Sequence, residues 1–331
     1  MKNSHPLQRL YLRLHRRVFR RRLREQKRFE RFYIVSIGNL SAGGTGKTPL
    51  VRRLAERVLK HSPLVVLRGY GGRAGKEGVL VSDGRSVLTD RLQAGDEALL
   101  LAGLPGLRVA AGADRARLIE RYGDPSRIVF LDDAFQNPTV YRDFDLVLID
   151  ASVPLEKLRV FPLGRFREGL DALERADAVL LTRVAESSPE NRAALEREVA
   201  AYLPLEKIFC SRHEPQGLLP EPPAGARFGA FCGIGNPESF FRTLAEKGLE
   251  IRERRVFPDH HAFRPREIRK LLETAERENL RWITTEKDAV RLKDGPEGKK
   301  LLQMTHVLEI RMRILDDREE EFFRTVFGGR F

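Results

Sequence analysis

Apolar residues recur at Leu7, Leu10, Tyr11, Leu14 and Val18, a spacing that puts them on one face of a helix. Ser4 is a candidate cap and Pro6 a first-turn proline for that helix. The pattern then changes. Short apolar runs stand at 33–38, 64–67, 107–111, 128–131 and 177–182, and helical segments such as the stretch through Leu50, Leu54 and Val58 lie between them. Strands alternating with helices predict an α/β fold, a parallel sheet with helices on both faces over roughly the first 200 residues. Ligands of such a sheet lie at the carboxyl ends of its strands.

Charge changes the picture at the N-terminus. The chain has 331 residues and a net charge of +13, of which +10 falls in residues 1–31 with 12 Lys/Arg against 2 acids. The remaining residues carry only about +3, too little for a basic groove over the folded body. Arg9, Arg13, Arg16, Arg17, Arg20, Arg21 and Arg24 surround the apolar stripe, as in a helix lying in the headgroup plane of an anionic membrane. Docking of the stripe on the rest of the protein, or an RNA-binding arm, would give the same pattern. Cys210 and Cys232 are the only cysteines and have neither disulfide-framework nor zinc-site spacing, in keeping with a reducing cytoplasm. No run approaches the ~18 apolar residues of a membrane span, and the N-terminus lacks a signal-peptide core.

The run Tyr33 to Gly38 leads into Ser41, Ala42, Gly43, Gly44, Thr45, Gly46, Lys47 and Thr48, followed by the amphipathic helix. Strand, glycine loop and helix form the context of a Walker A phosphate loop, here with serine at the first glycine position. Lys47 is expected at the β- and γ-phosphates of ATP and Thr48 at Mg2+. A partner strand ending in acid is supplied by Ile128 to Asp132 with Asp133, and a second candidate is Asp145 to Asp150; adjacent carboxylates suit a magnesium site. The fold expected is therefore P-loop NTPase-like, with a basic helix at 1–30, a phosphate-loop core at 31–205 and a smaller α/β unit at 206–331 packed against it. Within that last unit, Ala230 to Pro237 reads as strand, turn and helix start, without the lysine of a phosphate loop.

Read in order, Gly38 to Pro49, Arg68-Gly-Tyr-Gly-Gly-Arg73, Gly95-Asp-Glu97 and Leu131-Asp-Asp-Ala-Phe-Gln136 form a series that resembles tetraacyldisaccharide 4'-kinases. The resemblance continues through Phe161 to Glu168, Gly233 to Pro237, Pro258-Asp-His260 and Thr284 to Val290. It implies transfer of the ATP γ-phosphate to the 4'-hydroxyl of an acylated glucosamine disaccharide 1-phosphate, giving lipid IVA, at the cytoplasmic face of the inner membrane. It also supplies a reason for the arm, since an enzyme whose substrate stays in the bilayer must bring its site to that surface.

The same resemblance implies site residues. Asp96 and His260 match an aspartate and histidine that act together near the transferring phosphate, and an Asp–His hydrogen bond would hold the imidazole. Without it, Asp96 reads as a helix cap and His261 rivals His260. Arg115, Arg167 and Glu168 match positions near nucleotide or lipid phosphate, and Tyr70 and Arg73 match substrate contacts. Where the family has Gly-Phe-Gln-His-Arg after the paired acids, this chain has Ala134-Phe-Gln-Asn137-Pro138. The roles of that histidine and arginine do not carry over, and Ala134 tolerates a positive φ less readily than glycine. Two other classes are weighed. A guanine-reading motif at Thr285-Glu-Lys-Asp288 is out of register, and a nucleic-acid ATPase lacks basic surplus on the body and aromatics on the arm; no nucleic-acid partner is expected.

Overall fold

The computed structural model describes residues 5–293 and 295–331. Its strands are β1 (Tyr33–Asn39), β2 (Leu64–Leu67), β3 (Val79–Asp83), β4 (Arg108–Ala111), β5 (Ile128–Asp132), β6 (Phe144–Asp150), β7 (Ala178–Thr182), β8 (Ile208–Leu219), β9 (Phe228–Cys232), β10 (Ile251–Val256), β11 (Arg281–Thr285) and β12 (Thr305–Ile314). They form one 12-stranded sheet in the order β10-β9-β11-β12-β8-β7-β6-β1-β5-β2-β4-β3. Pairing is parallel except for β3 on β4 and β12 on β8. β1, β2, β5 and β7 are buried along nearly their whole length. That is why they read as continuous apolar runs and not as alternating ones.

Alternate residues of the central strands feed two faces. Val35, Ile37, Ile128 and Phe130 pack with Leu50, Val51 and Leu54 of the helix Lys47–Arg57 and with Ala98 and Leu101 of the helix Asp96–Ala102. Ile34, Val129 and Leu131 face the other way, onto Leu118 and Ile119 of the helix Arg115–Tyr122. Helices thus cover both faces, as the pattern of runs predicts. In the second half, Phe231 and Trp282 pack under the helix Pro265–Arg277, while Ala230, Cys232 and Ile283 pack under the helix Pro237–Glu246.

The halves are continuous through β8. Its residues Ile208–Cys210 pair with β7, and Ser211 to Leu219 pair antiparallel with β12. The C-terminal helix Glu319–Phe327 then returns to the first half. Phe322, Phe323, Val326 and Phe327 join the cluster around Val35, Leu54 and Phe130, and Tyr33 Oη donates to the Val326 carbonyl at 2.9 Å.

The helix Pro6–Arg24 forms where its spacing predicts, with Pro6 in its first turn. Ser4 lies outside the described residues, and His5 stands at the N-cap. Only one rim of the helix docks. Gln8 Nε2 donates to the Val160 carbonyl at 2.8 Å, Tyr11 meets the Phe161 ring at 5.2 Å, and Arg16 pairs with Asp171 at 2.8 Å. Leu7, Leu10, Leu14 and Val18 are each about half exposed, so the stripe divides, with Tyr11 docked and the four aliphatic residues outside.

Phe322 is fully buried in the first-half core. Phe322→Ala is expected to lower the unfolding free energy by about 3–5 kcal/mol in a urea titration, with a single transition. A separate early transition that spares nucleotide binding would show the C-terminal helix to be an appendage.

Candidate active site

The phosphate loop starts where β1 ends. Register places Ile37 beside Asp132, so β5 ends level with a residue two short of the end of β1, at the carboxyl edge of the sheet. The loop from Leu40 to Gly46 is pinned from three sides. Asn39 Nδ2 donates to Thr45 Oγ1 at 2.9 Å, Thr182 Oγ1 donates to the Thr45 carbonyl at 3.0 Å, and the Ala42 N–H donates to the Arg165 carbonyl at 2.8 Å. Gly46, at φ 90°, is the N-cap of the helix Lys47–Arg57 and makes no side-chain cap bond. Its left-handed backbone suits glycine alone, and the uncapped N–H groups behind it are the donors an anionic phosphate needs.

Asp132 ends β5 and Asp133 follows it. Asp133 Oδ1 lies 3.5 Å from Lys47 Nζ, and both its oxygens accept from Arg167 Nη1 at 3.0 Å. Arg167 also reaches Gln136 Oε1 at 3.3 Å, and Gln136 Nε2 donates to the Asn39 carbonyl at 2.8 Å. Arg115 has a buttressing position. It is 2% exposed, and its Nη2 donates to the carbonyls of Asp132 and Asp133 at 2.8 and 3.0 Å. The second acidic strand is separate from Lys47: Asp145 accepts from Arg142, and Asp150 accepts from Arg183 and Ser152. Ala134 meets no strain, because the left-handed residue of the turn is Asp133, at φ 50°.

Charge at this turn is divided unequally. Burial pushes the Asp132 carboxyl up to about 7, with Lys47 opposing and Glu97 and Asp133 adding to the rise. Burial also acts upward on Asp133, but Lys47 and Arg167 outweigh it and hold that carboxyl below its ordinary value. Asp132 Oδ1 is buried without a hydrogen-bond partner, and Thr48 is buried one residue past Lys47. An orphaned carboxylate oxygen next to a second carboxylate, with a buried threonine hydroxyl at the head of the helix that carries Lys47, fits a divalent cation shared with nucleotide phosphates.

The glycine loop 68–73 packs backbone to backbone on the turn before Asp96. Gly95, at φ 83°, leaves no room for a side chain, since a methyl group there would run into the Tyr70 carbonyl. Tyr70 is 56% exposed and accepts at its hydroxyl from Arg68 Nη1 at 2.9 Å. Arg73 is also exposed, its N–H donating to the Leu92 carbonyl. A cavity lined by Gly69, Tyr70, Ala94, Glu97, Asp132 and Asp133 links this loop to the paired acids.

Asp96 is the first residue of the helix Asp96–Ala102, with Gly95 at the cap position. His260 approaches it from the second half, at φ 58° with an exposed side chain, and its Nδ1 lies 3.8 Å from Asp96 Oδ2. That is beyond hydrogen bonding. Asp96 Oδ2 instead accepts from Arg291 Nε at 2.6 Å. His261 is engaged elsewhere, stacked on Phe257 and bonded to Glu267 at 2.9 Å. Glu168 turns to Arg175 at 2.8 Å and to His15 of the N-terminal helix at 3.8 Å. Arg291 was not legible as a site residue; its one signal was an acid three positions earlier, Asp288, on the same helix face.

A phosphate loop, a carboxylate held between Lys47 and Arg167, and an acid and a histidine brought in from opposite halves define a P-loop phosphotransferase. A family model described as Tetraacyldisaccharide-1-P 4'-kinase matches residues 5–327. The tetraacyldisaccharide 4'-kinase of Chlorobium luteolum is 38% identical over 281 residues, covering 80% of this chain and 78% of that protein. The one from Desulfotalea psychrophila is 36% identical over 307 residues, covering 87% and 86%. The crystal structure of LpxK from Aquifex aeolicus in complex with ATP superposes with a TM-score of 0.76 at 26% identity, covering 98% of this chain and 97% of that one. The chain belongs to the tetraacyldisaccharide 4'-kinase family, ATP-dependent kinases of lipid A biosynthesis.

Raising a buried acid's pKa stabilises the fold below the unfolded value and costs stability as pH rises toward the folded value. Asp132→Asn is therefore expected to raise the melting temperature of the ligand-free protein at about pH 8 and to leave it unchanged at about pH 4. An equal shift at both pH values would contradict the burial of an ionisable Asp132.

Proposed function

We propose that this chain transfers the ATP γ-phosphate to the 4'-hydroxyl of its lipid disaccharide with Lys47, Arg167, Asp96 and His260 in direct roles. The observation that carries the assignment is the Lys47–Asp133–Arg167 cluster at 3.5 and 3.0 Å, at the mouth of the phosphate loop. Two cations around one carboxylate are released toward phosphate oxygens when an anion enters, and Arg167 presents a fork that suits them. The backbone from Ser41 to Gly46 cradles the phosphates. Thr48, Asp132 and Asp133 hold Mg2+, which when bound neutralises charge on the β- and γ-phosphates.

A sugar hydroxyl is a poor nucleophile, so its proton must be removed as the bond to phosphorus forms. Asp96 and His260 handle that proton. Tyr70 and Arg73, exposed on the glycine loop beside them, contact the acceptor, and Glu168 and Arg115 act by holding Arg175 and the Asp132–Asp133 turn. The unit at 206–331 contributes His260 from across the cleft and closes on it.

The N-terminal helix binds an anionic membrane surface at the cytoplasmic face of the inner membrane, as a peripheral attachment. Its support is the half-exposed stripe Leu7, Leu10, Leu14 and Val18, flanked by arginines and tied by Gln8, Tyr11 and Arg16 to the segment that also carries Arg167. No described helix is long and apolar enough to cross a membrane.

The test is transfer of radiolabelled phosphate from ATP to tetraacyldisaccharide 1-phosphate in mixed micelles with Mg2+. Lys47→Ala is expected to lose about 10²-fold or more of kcat, and Asp96→Ala and His260→Ala each about 10²–10⁴-fold. Turnover within a few-fold of wild type in the last two would remove both from the proton transfer. Separately, deleting residues 1–28 is expected to abolish co-sedimentation with anionic vesicles; a truncated protein that pellets as well as the full chain would overturn the membrane role of the helix.

A further inference from the structure

The segment Thr285 to Leu292 has a stronger claim to function than its sequence suggests. Thr285 caps the helix Glu286–Leu292: its Oγ1 accepts the Asp288 N–H at 3.2 Å and donates to Asp288 Oδ2 at 2.7 Å. Asp288 is fully buried, and Oδ2 also accepts the Gly233 N–H at 3.0 Å. One helical turn on, the Arg291 side chain is 1% exposed. Its Nη1 donates to Asp288 Oδ1 at 2.8 Å and to the Gly233 carbonyl at 2.7 Å. Its other two nitrogens face the cleft: Nε crosses to the first half and donates to Asp96 Oδ2 at 2.6 Å, and Nη2 lies 3.3 Å from His260 Nδ1. Lys287 on the same helix pairs with Glu97 at 3.2 Å.

We infer that Arg291 is a positioning residue for phosphoryl transfer, standing between Asp96 and His260 and orienting both. The inference rests on the reading that those two handle the acceptor proton. A guanidinium has donors only, so its contact with His260 Nδ1 needs the lone pair on that nitrogen. The proton of the neutral ring is then on Nε2, where it can donate to the acceptor, and the hydroxyl proton goes to the carboxylate of Asp96. Asp96 and His260 are joined through Arg291 and not by a bond of their own, consistent with their 3.8 Å separation. A lysine would keep the charge but not the fork that serves both halves at once. Arg291 itself touches neither nucleotide nor acceptor; it sets where the carboxylate points and which imidazole nitrogen carries the proton.

Two measurements test this. The first needs no variant at Arg291: 15N NMR of the full-length protein with labelled histidine, the His260 signals assigned by loss in His260→Gln. The Nε2–H tautomer is expected, and the Nδ1–H tautomer would overturn the inference whatever the variants do. In the second, Arg291→Lys is expected to lower kcat about tenfold or more, as small misplacements of reacting groups do, with the KM for ATP within about twofold. In the Asp96→Asn or His260→Ala background the same substitution should cost less than about threefold, because residues acting as a unit are not additive. Full turnover in Arg291→Lys, or a loss that multiplies with His260→Ala, would overturn the inference while Asp96→Asn and His260→Ala remain impaired. If those two variants keep full turnover, the reading beneath it fails instead.

Discussion

A carboxylate shared by two cations holds this site together. Asp133 accepts from Arg167 and lies beside Lys47, so the end of β5, the phosphate-loop helix and the segment after residue 160 meet at one side chain. The Arg167 N–H to the Leu40 carbonyl at 2.6 Å and the Ala42 N–H to the Arg165 carbonyl at 2.8 Å extend the same junction through the main chain. In such a cluster the carboxylate offsets one of the two positive charges and leaves the other in surplus. The cluster is ready for phosphate, whose oxygens compete for the same two cations.

Much of the nucleotide end was legible because its chemistry is local. Lys47 and Thr48 follow their glycines directly, and the continuous apolar run ending at Asp132 reads as a buried strand. The assembly of Asp96 with His260 is different. These residues are far apart in sequence, and no periodicity connects them; family resemblance named them together, while their arrangement depends on Arg291, which no motif marked. Arg115 and Glu168 show the converse. The resemblance set both near phosphate, and in the structure both are buried against protein partners, the carbonyls of Asp132 and Asp133 and the Arg175 guanidinium.

The N-terminal helix also divides in a way its sequence did not. A stripe read as a single apolar face resolves into two uses. Tyr11, with Gln8 and His15 beside it, faces the 160–171 segment, while Leu7, Leu10, Leu14 and Val18 stay outside. Helical positions three and four apart can serve adjoining surfaces when the helix lies in a shallow groove. The helix is thereby fixed to the loop carrying Arg167 without using its most apolar residues.

The return of the last helix to the first half bears on how the chain is made. Phe322, Phe323, Val326 and Phe327 fill a core whose other members begin at Val35, so that core stays incomplete until almost the entire polypeptide has left the ribosome. At translation rates of about 5–20 residues per second, the nascent nucleotide-binding half spends many seconds with an uncovered apolar surface. Closing it requires a contact between the two ends of the chain, the slowest kind to form. Premature termination near residue 318 would thus leave a complete set of catalytic side chains on a scaffold prone to aggregate.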